Sequence, residues 1–211
     1  MIKKIALAAA LIGIIFYSLH GVQTNSSAYA AQLRQFRQEK NLAFIRSPDS
    51  PISAAQKAAF DSLKYYPADI NFRIECGLSR NVRPDTVTLR MSDNKAEKYL
   101  RWGQALFSPP LGLGDEVHTL PDRLTLFLKA NGTDSTLFVP FTDLTNGHDT
   151  YGGGRYLDVP IPPADSTGLV LDFNRAYNPY CAYNNEYSCP VPPAENRVRV
   201  AIAAGEKSFH D

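Results

Sequence analysis

Most of the chain after Pro67 consists of short segments in which apolar and polar residues alternate. Examples are Ile70–Cys76 and Thr86–Met91, and a short turn separates the latter from a return segment at Tyr99–Phe107. Side chains of a strand point alternately to opposite faces of its sheet, so this alternation indicates strands with one buried face. Further segments of this kind are Leu124–Leu128, Leu137–Phe141, Arg155–Ile161, Gly168–Phe173 and Arg197–Ile202.

These segments predict a mainly β protein, an antiparallel barrel or sandwich of about eight strands, and the pattern leaves barrel and sandwich open. Asn131-Gly132 lies between two of the segments and predicts a tight hairpin turn there.

Two N-terminal helices are predicted to cover an open end or a face of this sheet. Ser26 and Ser27 can cap a helix from about Ala28 to Ile45. One face of that helix carries, at helical spacing, Tyr29, Leu33, Phe36, Lys40 and Phe44. Ser53, with Gln56 three residues later, forms a capping box for a second, short helix. We expect that helix to carry Ala59, Phe60 and Leu63 and to end before Pro67.

Residues 1–25 are predicted to be a signal peptide or an N-terminal membrane anchor. Lys3 and Lys4 precede an apolar run from Ile5 to Leu19, as in secretory signals. The run is short for a membrane span, which needs about 18 apolar residues. Ala28-Tyr29-Ala30 matches a cleavage site but lies far from the run, so removal and retention both stay open. We expect an exported, periplasmic or extracytoplasmic protein, with a single β-rich domain over residues 26–211.

The charge balance gives no reason to expect nucleic acid as a partner. The formal net charge is +1, and Lys3 and Lys4 of the N-terminal segment supply two of the positive charges. A nearly neutral body does not attract nucleic acid or an anionic membrane surface. Contact with a membrane is therefore expected only through the N-terminal segment, and the oligomeric state stays open.

A dense polar stretch extends from Phe141 to Lys207. It contains, in order, the segments PFTDLTNGHDTYGGGRYL, DFNRAYNPYCAY, CPVPPAEN and AIAAGEK. With these segments the chain resembles the prokaryotic domain-of-unknown-function family numbered sixteen eighty-four, over nearly all of its length after the N-terminal segment. The resemblance implies no activity, cofactor or catalytic residue, because none is established for that family.

Eight residues of this stretch are candidate ligand-binding residues: Asp143, Tyr151, Arg155, Asp172, Asn174, Tyr177, Tyr183 and Glu195. Carboxylates, amides and tyrosine rings suit a sugar or another polar organic ligand. The same groups suit loops that satisfy their own backbone groups. In that structural interpretation Asp143 and Asp172 accept hydrogen bonds from loop amides, and Glu195 pairs with Arg155 or Arg197.

The first hypothesis is therefore a cell-envelope protein that binds a polar small molecule or a glycan. An alternative is a hydrolase that uses Asp172 and Glu195, with Arg155 holding an anion; its two carboxyl groups would have to lie within about 5–10 Å of each other. Gly152 to Gly154 could present backbone amides to an anion, or could meet a need for positive φ or close packing. A further alternative is a structural envelope protein.

Cys181 and Cys189 are predicted to form a disulfide, since the pair lies close in sequence and an exported protein meets an oxidising compartment. A reactive Cys181 thiolate, a zinc site and two unpaired thiols are the alternatives. We predict no metal site and no cofactor, because two cysteines lack the further ligands that zinc needs at the usual spacing. Cys76 lies in a strand segment and is expected to be a small core residue.

Overall fold

The structure is a computed structural model, which describes residues 26–108, 122–130 and 135–210. The predicted targeting segment and the Asn131-Gly132 turn lie outside the described residues. No helix within the described ranges is both long enough and apolar enough to cross a membrane.

In these ranges seven antiparallel strands form one sheet that curves into a nearly closed barrel. They are β1 (Arg73–Arg80), β2 (Thr86–Arg90), β3 (Ala96–Phe107), β4 (Asp122–Lys129), β5 (Thr136–Phe141), β6 (Arg155–Pro160) and β7 (Gly168–Asp172). Their order in the sheet is β6-β5-β4-β3-β1-β7, and β2 is a third partner of β3. The predicted mainly β, antiparallel architecture is confirmed, and of the two shapes left open the barrel is the one observed.

The main hydrophobic core fills the inside of this barrel. Strands β3 to β6 each contribute alternate residues to it, among them Ala105, Leu126, Val139 and Leu157. Cys76 of β1 is 5% exposed and belongs to the same core, as predicted. The residues between these positions point to the outer face of the sheet, where a smaller aromatic cluster forms.

The predicted strand at Arg197–Ile202 is wrong. Its alternate residues Val198, Val200 and Ile202 are buried, as the pattern required. However, the segment runs beside residues 142–144, which form a loop: the Val198 amide donates to the Thr142 carbonyl at 2.8 Å, and the Leu144 amide to the Val200 carbonyl at 3.3 Å. A loop offers only isolated bonds and no regular ladder, so alternation in burial occurs here without a strand.

Asn196 replaces missing strand pairing between β4 and β5. These two strands share only the pair Phe127 and Phe138 in register. Beside that pair the Asn196 side chain accepts from the Thr125 amide at 2.7 Å, and it donates to the carbonyls of Thr125 and Pro140 at 2.9 and 2.7 Å. The fully buried side-chain amide therefore acts as a short piece of strand.

The two predicted helices are present. In α1, residues 26–46, the predicted face packs on the body, with Leu33 and Phe44 buried. The helix α2 (Ala54–Ala59) has the predicted capping box between Ser53 and Gln56. It ends earlier than expected, because Phe60 is extended. A second boundary also shifts, since a single 3-10 turn at Ile70–Phe72 precedes β1 where a strand was expected.

Candidate functional site

Arg155, at the start of β6, is fully buried inside the polar stretch. Both of its terminal nitrogens donate to protein acceptors: one to the carbonyls of Ala204 and Glu206, the other to the carboxylate of Asp143 at 2.8 Å and to the carbonyl of Ile202 at 2.9 Å. Its side chain is 0% exposed. The guanidinium therefore holds the C-terminal segment to the barrel and does not face solvent, where an anion would bind.

Asp143 completes this arrangement from the loop after β5. Its second oxygen accepts from the amide and hydroxyl of Thr145 at 2.8 and 2.6 Å and from the Ile202 amide at 3.1 Å. A buried carboxylate is tolerated when a paired charge and several donors surround it. Asp143 thus has the loop-amide partners of the structural interpretation, together with an ion pair to Arg155.

Glu206 is a buried carboxylate that the sequence analysis did not select. Its side chain is 1% exposed and pairs with Lys40 of α1 at 2.8 Å. Asn178 donates to it at 3.0 Å, and the Tyr183 hydroxyl also donates to it. Burial, with Glu206 as a second cause, raises the pKa of Tyr183 far above its ordinary value. The only sequence signal was its place in AIAAGEK, where a carboxylate next to Lys207 looks like a surface pair.

Asp172 and Asn174 connect the end of β7 to the N-terminal segments. The Asn174 side chain accepts from the Asp69 amide at 3.0 Å and donates to the Asp69 carbonyl at 2.7 Å, as a neighbouring strand would. Asp172 accepts from the Asn174 amide at 3.2 Å and from the Tyr29 hydroxyl of α1 at 2.7 Å. Both residues thus serve the attachment of α1 and the segment that follows it.

Glu195 lies apart from the other candidates. It is 42% exposed, and its ion pair is with Arg101 at 3.5 Å, not with Arg155 or Arg197. Asp172 has different partners, since its nearest cation is Arg175 at 3.5 Å. Within the part of the chain that the structure describes, the contacts of Arg155, Asp172 and Glu195 have no residue in common, so these contacts give the hydrolase alternative no shared constellation.

The glycine run serves close packing at Gly154. Its φ is +91°, and a β-carbon there would lie 2.7 Å from the Phe141 carbonyl oxygen and from the Pro192 ring. Only glycine combines this backbone conformation with this contact. Of the two roles considered for the run, positive φ with close packing is the one that the geometry supports.

A groove of about 940 Å³ lies between α1 and the outer face of β3 to β6. Its floor is a continuous row of rings, in which each neighbouring pair is in contact: Tyr99, Phe138, Tyr156 and Tyr177. Phe44 of α1 lines one side, and Pro179, Tyr180 and residues 187–190 line the other. Among the eight candidates, Tyr177 is the one that lines this groove.

Charged groups are interspersed among these rings. Glu97 pairs with Lys129 at 2.6 Å and accepts from the Tyr99 hydroxyl at 2.9 Å. The Tyr177 hydroxyl donates to Asp158 at 2.8 Å, and the Lys40 ammonium lies 4.9 Å from the centre of the Tyr177 ring. Burial, reinforced by the Asp158 charge, raises the pKa of Tyr177, so its hydroxyl stays a neutral donor. The groove therefore offers apolar faces beside donors and acceptors of both signs.

Tyr151 lines a second pocket of about 590 Å³ beside the C-terminus. Polar side chains border it, among them Lys64, Asp149 and Lys207, and the last two lie 3.7 Å apart. The structure thus distributes the eight candidates over a buried network, two separate pockets and the exposed surface.

All three cysteines have free thiols in the structure. The Cys181 amide donates to the Cys189 sulfur at 3.1 Å, so the two residues are neighbours, and their disulfide stays a prediction. Within the described residues, no three His, Cys, Asp or Glu side chains are grouped so that they could hold a metal ion.

Comparison with known proteins identifies the family but no activity. No curated protein matches the chain. A solved structure with a similar fold is the solution NMR structure of an uncharacterized protein from Haloarcula marismortui. It is 33% identical, the alignment covers 89% of this chain and 98% of that chain, and the TM-score is 0.67. A family model described as "Protein of unknown function (DUF1684)" matches residues 58–207, most of the chain, and the protein therefore belongs to this family.

Proposed function

We propose that this protein binds a polar small molecule or a glycan in the groove between α1 and the outer face of the sheet. The observation that carries the proposal is the row of four touching rings with ionic groups at its edges. Ligand sites in proteins combine an apolar, concave lining with a few placed polar groups.

The chemistry of the groove favours a ligand with both hydroxyl groups and apolar faces. Tyrosine and phenylalanine rings pack against the C–H faces of a ring-shaped ligand. Glu97 and Asp158 can accept hydrogen bonds from hydroxyl groups, while Lys129 donates one. Tyr180, 43% exposed, and Tyr187 stand edge to face at 5.3 Å on the opposite wall and add two further rings. A sugar or a polar ring compound matches this arrangement.

The proposed setting is the cell envelope, where the protein is either released or anchored by its N-terminal segment. The support is the order of basic and apolar residues from Lys3 to Leu19. Fusion of alkaline phosphatase, which is active only outside the cytoplasm, to the C-terminus tests this setting. An active fusion that loses activity when residues 1–25 are deleted is expected, and an inactive full-length fusion would refute export.

The binding proposal is tested by thermal unfolding of the purified protein with a panel of oligosaccharides and polar metabolites. A ligand at one hundred times its Kd stabilises a protein by about 2.7 kcal/mol, which gives a measurable rise in Tm. We expect at least one sugar-like compound to raise Tm, and we expect Tyr187→Ala to weaken that effect. A panel without any shift would count against the proposal.

The matched control is Leu144→Ala, which truncates an exposed apolar residue outside the groove. This variant should unfold at an ordinary temperature and retain the full ligand-induced shift. If Leu144→Ala and Tyr187→Ala weaken binding equally, the ligand does not occupy the groove.

A further inference from the structure

Cys181 and Cys189 differ in accessibility although they are neighbours. Cys181 belongs to a 3-10 turn, Tyr180–Ala182, and is partly exposed, whereas Cys189 is 6% exposed. The Cys181 amide points at the Cys189 sulfur at 3.1 Å. Cys181 is therefore the more accessible of the two residues, and the Cys189 sulfur lies within hydrogen-bond distance of its backbone.

The surroundings of Cys181 favour its thiolate. A hydrogen bond from the Cys189 thiol is the main cause that lowers the pKa of Cys181; burial opposes it, and hydrogen bonds from Tyr151 and Ser92 add to it. The Tyr151 hydroxyl lies 3.9 Å from the Cys181 sulfur. The pKa of Cys189 is raised, because its proton is shared with Cys181 and because it is buried. The thiolate is the form of cysteine that attacks disulfides.

Cys189 is fixed to the turn between β2 and β3. Its amide donates to the Ser92 hydroxyl at 3.0 Å, and the Ser92 amide donates to its carbonyl at 2.8 Å. The next residue, Pro190, forms an isolated bridge with Met91. By contrast, Cys181 meets this turn through a side-chain contact with Ser92 and through its own bond to Cys189.

From this geometry we infer that Cys181 and Cys189 form a redox-reactive dithiol that a disulfide-bearing oxidant converts to an internal disulfide. This inference deepens the proposed function, on which it rests for its consequence, because residues of this segment line one wall of the groove. Tyr187 and Ser188, between the two cysteines, and Tyr180, next to Cys181, belong to that wall.

The reaction has two balanced exchange steps. The Cys181 thiolate attacks one sulfur of the oxidant, its disulfide breaks, and the other sulfur leaves as a thiolate. Cys189 then loses its proton and attacks the Cys181 sulfur of the mixed disulfide, and the remaining part of the oxidant leaves as a second thiolate. The protein is oxidised by two electrons, and the oxidant is reduced to two thiols.

The disulfide would connect the exposed turn at Cys181 to the fixed turn at Ser92. Closing so short a loop removes freedom from the segment between the cysteines. Oxidation would therefore hold Tyr180 and Tyr187 in place against the rings of the groove floor.

The test uses the purified protein with the background substitution Cys76→Ala, and oxidised glutathione as the oxidant. Intact mass and alkylation should show the loss of both thiols and no bound glutathione. Cys189→Ser should retain one glutathionyl group on Cys181. Cys181→Ser should react far more slowly, because the buried Cys189 is left alone.

Two outcomes would overturn the inference. In one, both thiols of the folded protein stay reduced under conditions that oxidise the unfolded chain. In the other, Cys181→Ser traps glutathione as readily as Cys189→Ser does. Circular dichroism of both serine variants confirms that they are folded.

Hydrogen exchange of residues 183–188 tests the consequence for the wall. Exchange should be slower in the oxidised protein than in the reduced one, and equal rates would refute the fixing of the wall. Neither measurement requires a groove ligand, so failure of the dithiol inference and failure of the proposed binding function are distinguishable.

Discussion

Arg155 and Lys129 each pair with a carboxylate, but the two pairs lie in opposite surroundings. Arg155 and Asp143 are both 0% exposed and have further protein partners. Lys129 and Glu97 are 48% and 29% exposed at the edge of the groove. No ligand can reach the pair of Arg155 and Asp143. Lys129 and Glu97 are accessible, so either side chain can bind a ligand in place of the other. Polar chemistry that organises the fold and polar chemistry that is available for binding are therefore separated in this molecule.

This difference changes how the polar stretch is interpreted. Several of its charged residues and amides are buried and bonded to other protein groups: Asp143 to Arg155, Asn178 to Glu206, and Asn196 to Thr125. The groove is assembled from α1, four strands and several loops, which are distant in the chain. The dense motif of the sequence is thus in large part architecture, and its segment from Arg175 to Pro190 is a part that also reaches the groove.

Loss of the buried ion pair should have the largest effect on stability. Asp143→Ala leaves the guanidinium of Arg155 buried without its counter-charge, which costs about 3–5 kcal/mol. Urea unfolding followed by circular dichroism measures this loss. The double variant Asp143→Leu with Arg155→Met removes both charges and should be more stable than Asp143→Ala alone. A single variant as stable as the wild type would break the contrast between the two pairs.

Asn196→Ala should have the next largest effect. The Thr125 amide and the carbonyls of Thr125 and Pro140 would lose their partner, and buried unsatisfied groups cost about 1–3 kcal/mol each, partly offset by water. We expect a loss of about 2–3 kcal/mol in the free energy of unfolding. The matched control is Asn184→Ala, whose side chain accepts only from the Glu186 amide. Equal losses in the two variants would mean that the seam between β4 and β5 does not depend on Asn196.

The fold was predictable because buried faces of helices and strands require apolar residues at regular spacing in the sequence. The face of α1 that carries Leu33 and Phe44 and the alternation in β3 to β6 follow directly from packing on one side. The segment from Val198 to Ile202 has the same alternation, but its neighbour is a loop. An alternating pattern shows which side chains are buried. It does not show whether the backbone has a neighbouring strand to bond with, which depends on the tertiary structure.

The site was less predictable, because the sequence pattern does not show which charged residues pair with each other. Glu195 meets Arg101, a residue of β3, and Glu206 meets Lys40 of α1, and both pairings depend on how the sheet closes. The groove residues Tyr99 and Phe138 were read as ordinary strand positions. Only their place on the outer face, opposite α1, makes them part of a site.

Lys40→Met should have an intermediate effect, since Lys40 belongs to both regions. It pairs with the buried Glu206 and lies over the Tyr177 ring in the groove. We expect a loss of about 1.5–2 kcal/mol in the free energy of unfolding, the lower part of the range for a hydrogen bond to a charged group, because the lysine side chain is 19% exposed. Adding Glu206→Gln to Lys40→Met should restore part of the loss, because the carboxylate charge is then absent. A further loss in the double variant would contradict the importance of that charge.

The groove pair should have the smallest effect, and its effect should depend on pH. Burial tends to raise the pKa of Glu97, but hydrogen bonds from Lys129 and Tyr99 outweigh it and lower the pKa. A lowered pKa means that the folded state holds the charged form more firmly than the unfolded state, whose pKa is about 4.3. Glu97→Gln should therefore cost less than about 1 kcal/mol at pH 7, since solvent screens the pair. The difference from the wild type should persist down to about pH 5 and vanish as the pH falls through the folded-state pKa.

Lys129→Met should reproduce the loss at pH 7, and high salt should reduce it. Urea unfolding across this pH range decides the matter: a loss as large as that of Asp143→Ala, or one that is independent of pH, would place Glu97 among the architectural charges and not among those available to a ligand.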